Sequence, residues 1–82
     1  MTEEQIRKEL RRLYVSVFGR EAPSDDVNLM SPSLGNQIAM YLYWLEKIEK
    51  ELDLPVYRIL ERADYTDMTI RRLSILLTQR GE

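Results

Sequence analysis

Apolar residues recur at helical spacing through nearly the whole chain, and the pattern breaks in only three places. Ile6, Leu10, Leu13, Tyr14, Val17 and Phe18 form one stripe, with Arg7, Lys8, Arg11 and Arg12 on the opposite side, which predicts a first helix. Thr2 followed by Gln5 three residues later reads as a capping box at its start, and Gly19 suits the left-handed position that ends it. Arg20 to Pro32 is a long polar connection carrying Val27, Leu29 and Met30, which are expected to act as apolar pegs. A second helix is predicted from about Ser33 to Leu52, with Ser31 or Ser33 as cap and Ile38, Tyr41, Leu42, Leu45, Ile48 and Leu52 buried. After the break at Asp53-Leu54-Pro55, a short third helix uses Val56, Ile59, Leu60 and Ala63. Tyr65-Thr66-Asp67 interrupts again, and Thr66 or Asp67 is expected to cap a last helix that buries Ile70, Leu73, Leu76 and Leu77 before Gly81. No segment alternates for long enough to be a strand.

The expected fold is therefore all-α: a single domain over residues 1–82, with three main helices, one short third helix and a long loop after the first. A chain of 82 residues has room for one small core. Its 44% hydrophobic and 32% charged residues suit a folded protein rather than a disordered one. Twelve Lys and Arg against fourteen Asp and Glu give a net charge of -2, which offers little general attraction to nucleic acid or anionic membrane. The acidic Thr2-Glu3-Glu4 start is unlike a secretory signal, and no apolar run approaches the roughly 20 residues that span a bilayer. A cytoplasmic location is the resulting expectation.

Cysteine and histidine are both absent, which removes thiol nucleophiles, imidazole acid-base chemistry and ordinary zinc sites. Asp25, Asp26, Asp64 and Asp67 fall in expected loops and caps, and the glycines make no phosphate-cradling loop. No enzyme activity and no metal site are expected.

The segment Leu29-Met30-Ser31-Pro32-Ser33-Leu34-Gly35-Asn36-Gln37-Ile38-Ala39 resembles the loop-to-helix junction of acyl and peptidyl carrier proteins. In that family an apolar plug precedes a Leu-Gly pair, and the serine that carries phosphopantetheine follows. Met30 stands at the plug and Leu34-Gly35 at the pair. Two registers then compete. In one, Ser33-Leu34 matches the attachment motif, with Pro32 replacing its acidic residue, so Ser33 would carry 4′-phosphopantetheine at a helix start that favours a phosphodiester. In the other, which needs no gap from Met30 to Val56, the serine position falls on Ile38 and no attachment point remains. Glu49-Lys50-Glu51-Leu52-Asp53-Leu54-Pro55-Val56 and Tyr65-Thr66 with Ile70 and Leu73 also look like the family, although extra residues lie between Pro55 and Thr66. The resemblance implies a four-helix carrier-like bundle. Asp26-Val27-Asn28-Leu29 and Glu46-Lys47-Ile48-Glu49-Lys50-Glu51-Leu52 look most like the acyl carrier-related proteins of peptide maturation systems.

Carrier proteins usually present acidic residues on the second helix. This chain has Met40, Tyr41, Tyr43 and Trp44 there, and some of these must lie outside the buried stripe. Clustered Tyr, Trp and Met suit a hydrophobic interface, with biosynthetic partner enzymes or with a second copy of the chain. The rival from another class is a helix-turn-helix DNA binder over residues 59–73, with Arg71 and Arg72 on its recognition helix. Leu60 and Asp64 stand where that motif wants a small residue and a turn glycine.

Overall fold

The computed structural model describes residues 1–35 and 37–80; Asn36, Gly81 and Glu82 lie outside them. The described residues form four α-helices and two single 3-10 turns, with no strand among them. Helix α1 (Glu3–Phe18) begins as the sequence predicts. Thr2 Oγ1 accepts from the Gln5 N–H at 3.1 Å, and the Gln5 side chain accepts from the Thr2 N–H at 2.8 Å. Gly19 ends the helix at φ 72°, a conformation open to glycine at little cost, and its N–H reaches the Val15 carbonyl at 2.9 Å. Ile6, Leu10, Leu13 and Tyr14 are buried, while Val17 and Phe18 are half-buried at the edge of the same stripe.

The second helix is shorter than the sequence pattern suggests. Pro32–Leu34 is a separate 3-10 turn capped by Ser31, and Gly35 closes it in the left-handed region at φ 67°. Helix α2 (Ile38–Leu52) starts only after that break. It buries Tyr41, Trp44, Leu45 and Ile48, and it ends at Asp53 with φ 53°. The indole N–H of Trp44 donates to the Leu10 carbonyl at 3.2 Å, and the ring meets Tyr14 edge-on at 5.7 Å. These contacts fasten α2 to α1 and satisfy the one polar atom of the largest core residue.

Helix α3 (Val56–Leu60) is a single turn and a half that buries Val56. The second 3-10 turn, Tyr65–Asp67, is held by Asp64, whose carboxylate accepts from the Thr66 N–H, and by the Asp67 carboxylate, which accepts from the Asp64 N–H. Thr66 and Asp67 are thus spent on this turn. Thr69 caps helix α4 (Ile70–Arg80) instead, accepting from the Arg72 N–H at 3.1 Å. Ile70, Leu73 and Leu77 are buried as expected. Leu76 is half-buried, and Ser74 takes the interior position, its hydroxyl donating to the Arg71 carbonyl at 2.8 Å.

The long loop between α1 and α2 is tied down by backbone and ionic bonds as well as by apolar pegs. Leu29 is the buried peg; Met30, expected to share that role, is 43% exposed. The reason is local: the Met30 N–H bonds the Asn28 side chain at 2.9 Å, and the Leu29 N–H donates to the Met68 carbonyl at 2.7 Å. That pairing turns Leu29 inward and its neighbour outward. Asn28 also donates to the Tyr65 carbonyl at 2.7 Å. Asp25 accepts from Arg7 at 3.2 Å and from Arg11, both on α1, while Asp26 pairs with Arg71 on α4 at 2.7 Å. The Asp25 carbonyl further accepts the Arg71 N–H at 3.0 Å, satisfying a donor in the first turn of α4.

Candidate docking surface

The register question turns on where α2 begins. Ser33 is exposed but sits within the 3-10 turn, five residues ahead of Ile38, with the left-handed Gly35 in between. Its Oγ lies 2.9 Å from Ser31 Oγ. The helix start that was expected to favour a phosphodiester on Ser33 is therefore not at Ser33. Ile38 is the first residue of α2 and is 68% exposed. Ser33 thus has a hydroxyl away from the start of α2, and Ile38 stands at that start without one.

Among the described residues, no side chain caps α2. Gln37 makes no capping hydrogen bond, and the first turn contains no acidic residue. Around this open end the apolar run Ile38-Ala39-Met40-Tyr41-Leu42-Tyr43-Trp44-Leu45 continues for eight residues, more than one buried face can absorb. The helix sorts them by angle. Tyr41 goes inside, as the apolar stripe predicts, and so does Trp44, which takes both out of the partner-binding surface suggested for them: Trp44 is fully buried, and the Tyr41 hydroxyl donates to the Met68 sulfur at 3.0 Å. Burial pushes the Tyr41 hydroxyl well above its ordinary pKa, so it stays protonated as a donor. Met40 and Tyr43 go outside, as does Ala39, with Tyr43 54% exposed.

Ile38 and Leu42 also face solvent, although the sequence pattern placed both in the buried stripe. Tyr57 joins them from α3, a residue that sequence reasoning passed over. It is half-exposed, and its hydroxyl donates to the Leu42 carbonyl at 3.0 Å. Partial burial, with Glu46 and Glu49 nearby, raises the pKa of that hydroxyl, which keeps this link between α2 and α3 protonated. The signal that could have found Ile38 and Leu42 was the length of the apolar run itself. The outer surface of the first two turns of α2 is therefore apolar without a charge, from Ile38 through Tyr43.

The other candidates have structural work. Asp25 is partly buried, which opposes its ionisation, but the hydrogen bonds from Arg11 and Arg7 prevail and hold its pKa below the usual value. Arg71 does the same for the exposed Asp26. Asp64 and Asp67 hold the 3-10 turn. Among the described residues, no group of three or more acidic side chains stands close enough to hold a metal ion. Residues 59–73 do not have helix-turn-helix geometry. Nine residues, 61–69, separate α3 from α4, where that motif uses three or four, and α3 has five residues. Arg71 and Arg72 are paired with Asp26 and Asp67.

No helix of the described residues is long and apolar enough to cross a membrane. Comparison with protein-family models, with curated proteins and with solved structures finds no match to this chain.

Proposed function

We propose that this chain is a carrier-protein-like docking module without the attachment serine, serving partner enzymes of peptide or acyl-type natural-product biosynthesis. The observation that carries the reading is Ile38: an exposed, unreactive side chain at the first position of α2, surrounded by Met40, Leu42 and Tyr43. A helper that delivers cargo covalently needs a nucleophile at that helix end. One that works by contact needs an apolar surface, and this is what the position offers. The order of the helices, with a long pinned loop before α2 and a short α3, supports the carrier-like part of the reading.

Intact mass after incubation with coenzyme A and a promiscuous phosphopantetheinyl transferase tests it, with Ser33→Ala and a working carrier in parallel. The expected result is an unchanged mass while the control carrier is modified. A gain of one phosphopantetheine that Ser33→Ala removes would instead make Ser33 a true attachment site.

A further inference from the structure

We infer that the first two turns of α2 are a self-association surface, and that their occupant is a second copy of this chain packed antiparallel about a two-fold axis. The face is convex and lacks charge, which suits another helix better than a small molecule. Ile38, Met40, Leu42 and Tyr43, with Tyr57 beside them, are each between 38% and 68% exposed. Together they leave roughly 500 Å² of apolar surface, at the upper end of what a monomer ordinarily shows. With a polar rim, such a patch approaches the roughly 800 Å² per partner of a stable interface.

Charge complementarity fixes the orientation. Ala39, Tyr43 and Glu46 follow one another at i, i+4 and i+7 along the outermost line of the helix. With the two-fold axis between Leu42 and Tyr43, Glu46 of one copy lies opposite Ala39 of the other. Ala39 is small enough to admit it. Among the described residues the first turn of α2 has no side-chain cap and no acid, so its positive end is open to a carboxylate. Glu46 is exposed, and its 3.3 Å pair with the still more exposed Lys50 is a weak surface contact that leaves it able to turn toward the second copy. Symmetry makes the contact twice. A parallel arrangement would set the two open helix ends side by side and leave both uncompensated.

Sedimentation equilibrium over a wide concentration range tests the inference. The wild-type chain is expected to dimerise with a Kd on the order of tens of micromolar, given the modest area. Leu42→Asp and Tyr43→Asp should each weaken this about 100-fold or more while circular dichroism still reports the full helical content. Glu46→Gln, which leaves the apolar face intact, should weaken it about 3- to 30-fold through the two lost helix-end contacts. A wild-type chain that stays monomeric to about 1 mM overturns the inference, as does a dimer indifferent to both aspartate variants. A dimer that those variants break but Glu46→Gln leaves unchanged overturns the antiparallel arrangement. The inference goes beyond the docking reading and fails separately from it: mass gain on Ser33 would leave the sedimentation result untouched.

Discussion

Helices α1 and α2 are nearly equal in length, 16 and 15 residues, and each buries a four-residue stripe in the same core, yet their outer sides are opposites. The solvent side of α1 carries Glu4, Lys8, Arg11 and Arg12 with Val15 as its one large exposed apolar group, and its start is closed by a reciprocal cap. The solvent side of α2 begins with Ile38, Ala39, Met40, Leu42 and Tyr43 and has no side-chain cap. The same inner chemistry thus supports two outer designs. The outer side of α1 is charged and its start is closed by a reciprocal cap, whereas the first half of α2 exposes apolar side chains and Gln37 gives its start no side-chain hydrogen bond. The apolar side chains on the outer side of α2 contribute nothing to the core, and they are the ones the proposed contact uses.

The largest effect should come from the inner face that the two helices share. Trp44→Ala removes the central core side chain and its bond to Leu10, and is expected to cost about 3–5 kcal/mol, enough to unfold a small domain in a denaturant titration. Next is the ionic clamp that holds the loop against α1. Asp25→Asn should cost about 1–2 kcal/mol at neutral pH. Because the folded pKa of Asp25 lies below its unfolded value, the clamp contributes fully above about pH 4 and is lost as the pH falls through the folded value. Stability measured between neutral pH and about pH 3 should therefore drop less steeply for Asp25→Asn than for the wild type.

Two cap variants sharpen the contrast between the helices. Thr2→Ala should lower stability by about 1 kcal/mol, since it opens the end that α1 keeps closed. Gln37→Asp should raise stability by about 0.5–1 kcal/mol by closing the end that α2 leaves open, and in the same protein it should weaken self-association. The smallest effect on folding belongs to the outer face. Tyr43→Ala should change the unfolding free energy by less than about 0.5 kcal/mol, and a loss as large as that of a core residue would show that Tyr43 serves the fold.

Much of this was legible in the sequence where signals were local. Thr2 with Gln5 and Gly19 bounded α1 correctly, and the spacing of Ile6, Leu10 and Leu13 identified its buried side. The start of α2 was misplaced because Ser31, Pro32 and Ser33 are good cap chemistry, and that chemistry is used, but on a 3-10 turn that Gly35 then terminates. Thr66 and Asp67 misled in the same way, absorbed by a turn while Thr69 capped α4. Periodicity could not divide the run from Ile38 to Leu45 between inside and outside, because every member is apolar. Only the orientation set by Trp44 against Leu10 and Tyr14 decides that Ile38 and Leu42 stay outside. Nor could local reading foresee the partners of Asp25 and Asp26, which come from two helices far apart in the chain.

Residue-resolved amide hydrogen exchange, run on dilute and on concentrated protein, tests most directly whether the outer side of α2 is a contact surface. The account predicts that amides of Ile38 to Tyr43 exchange more slowly as concentration rises, while those of the capped first turn of α1 are unaffected. Exchange in α2 that is independent of concentration, or slowing that is equal in α1 and α2, would contradict it.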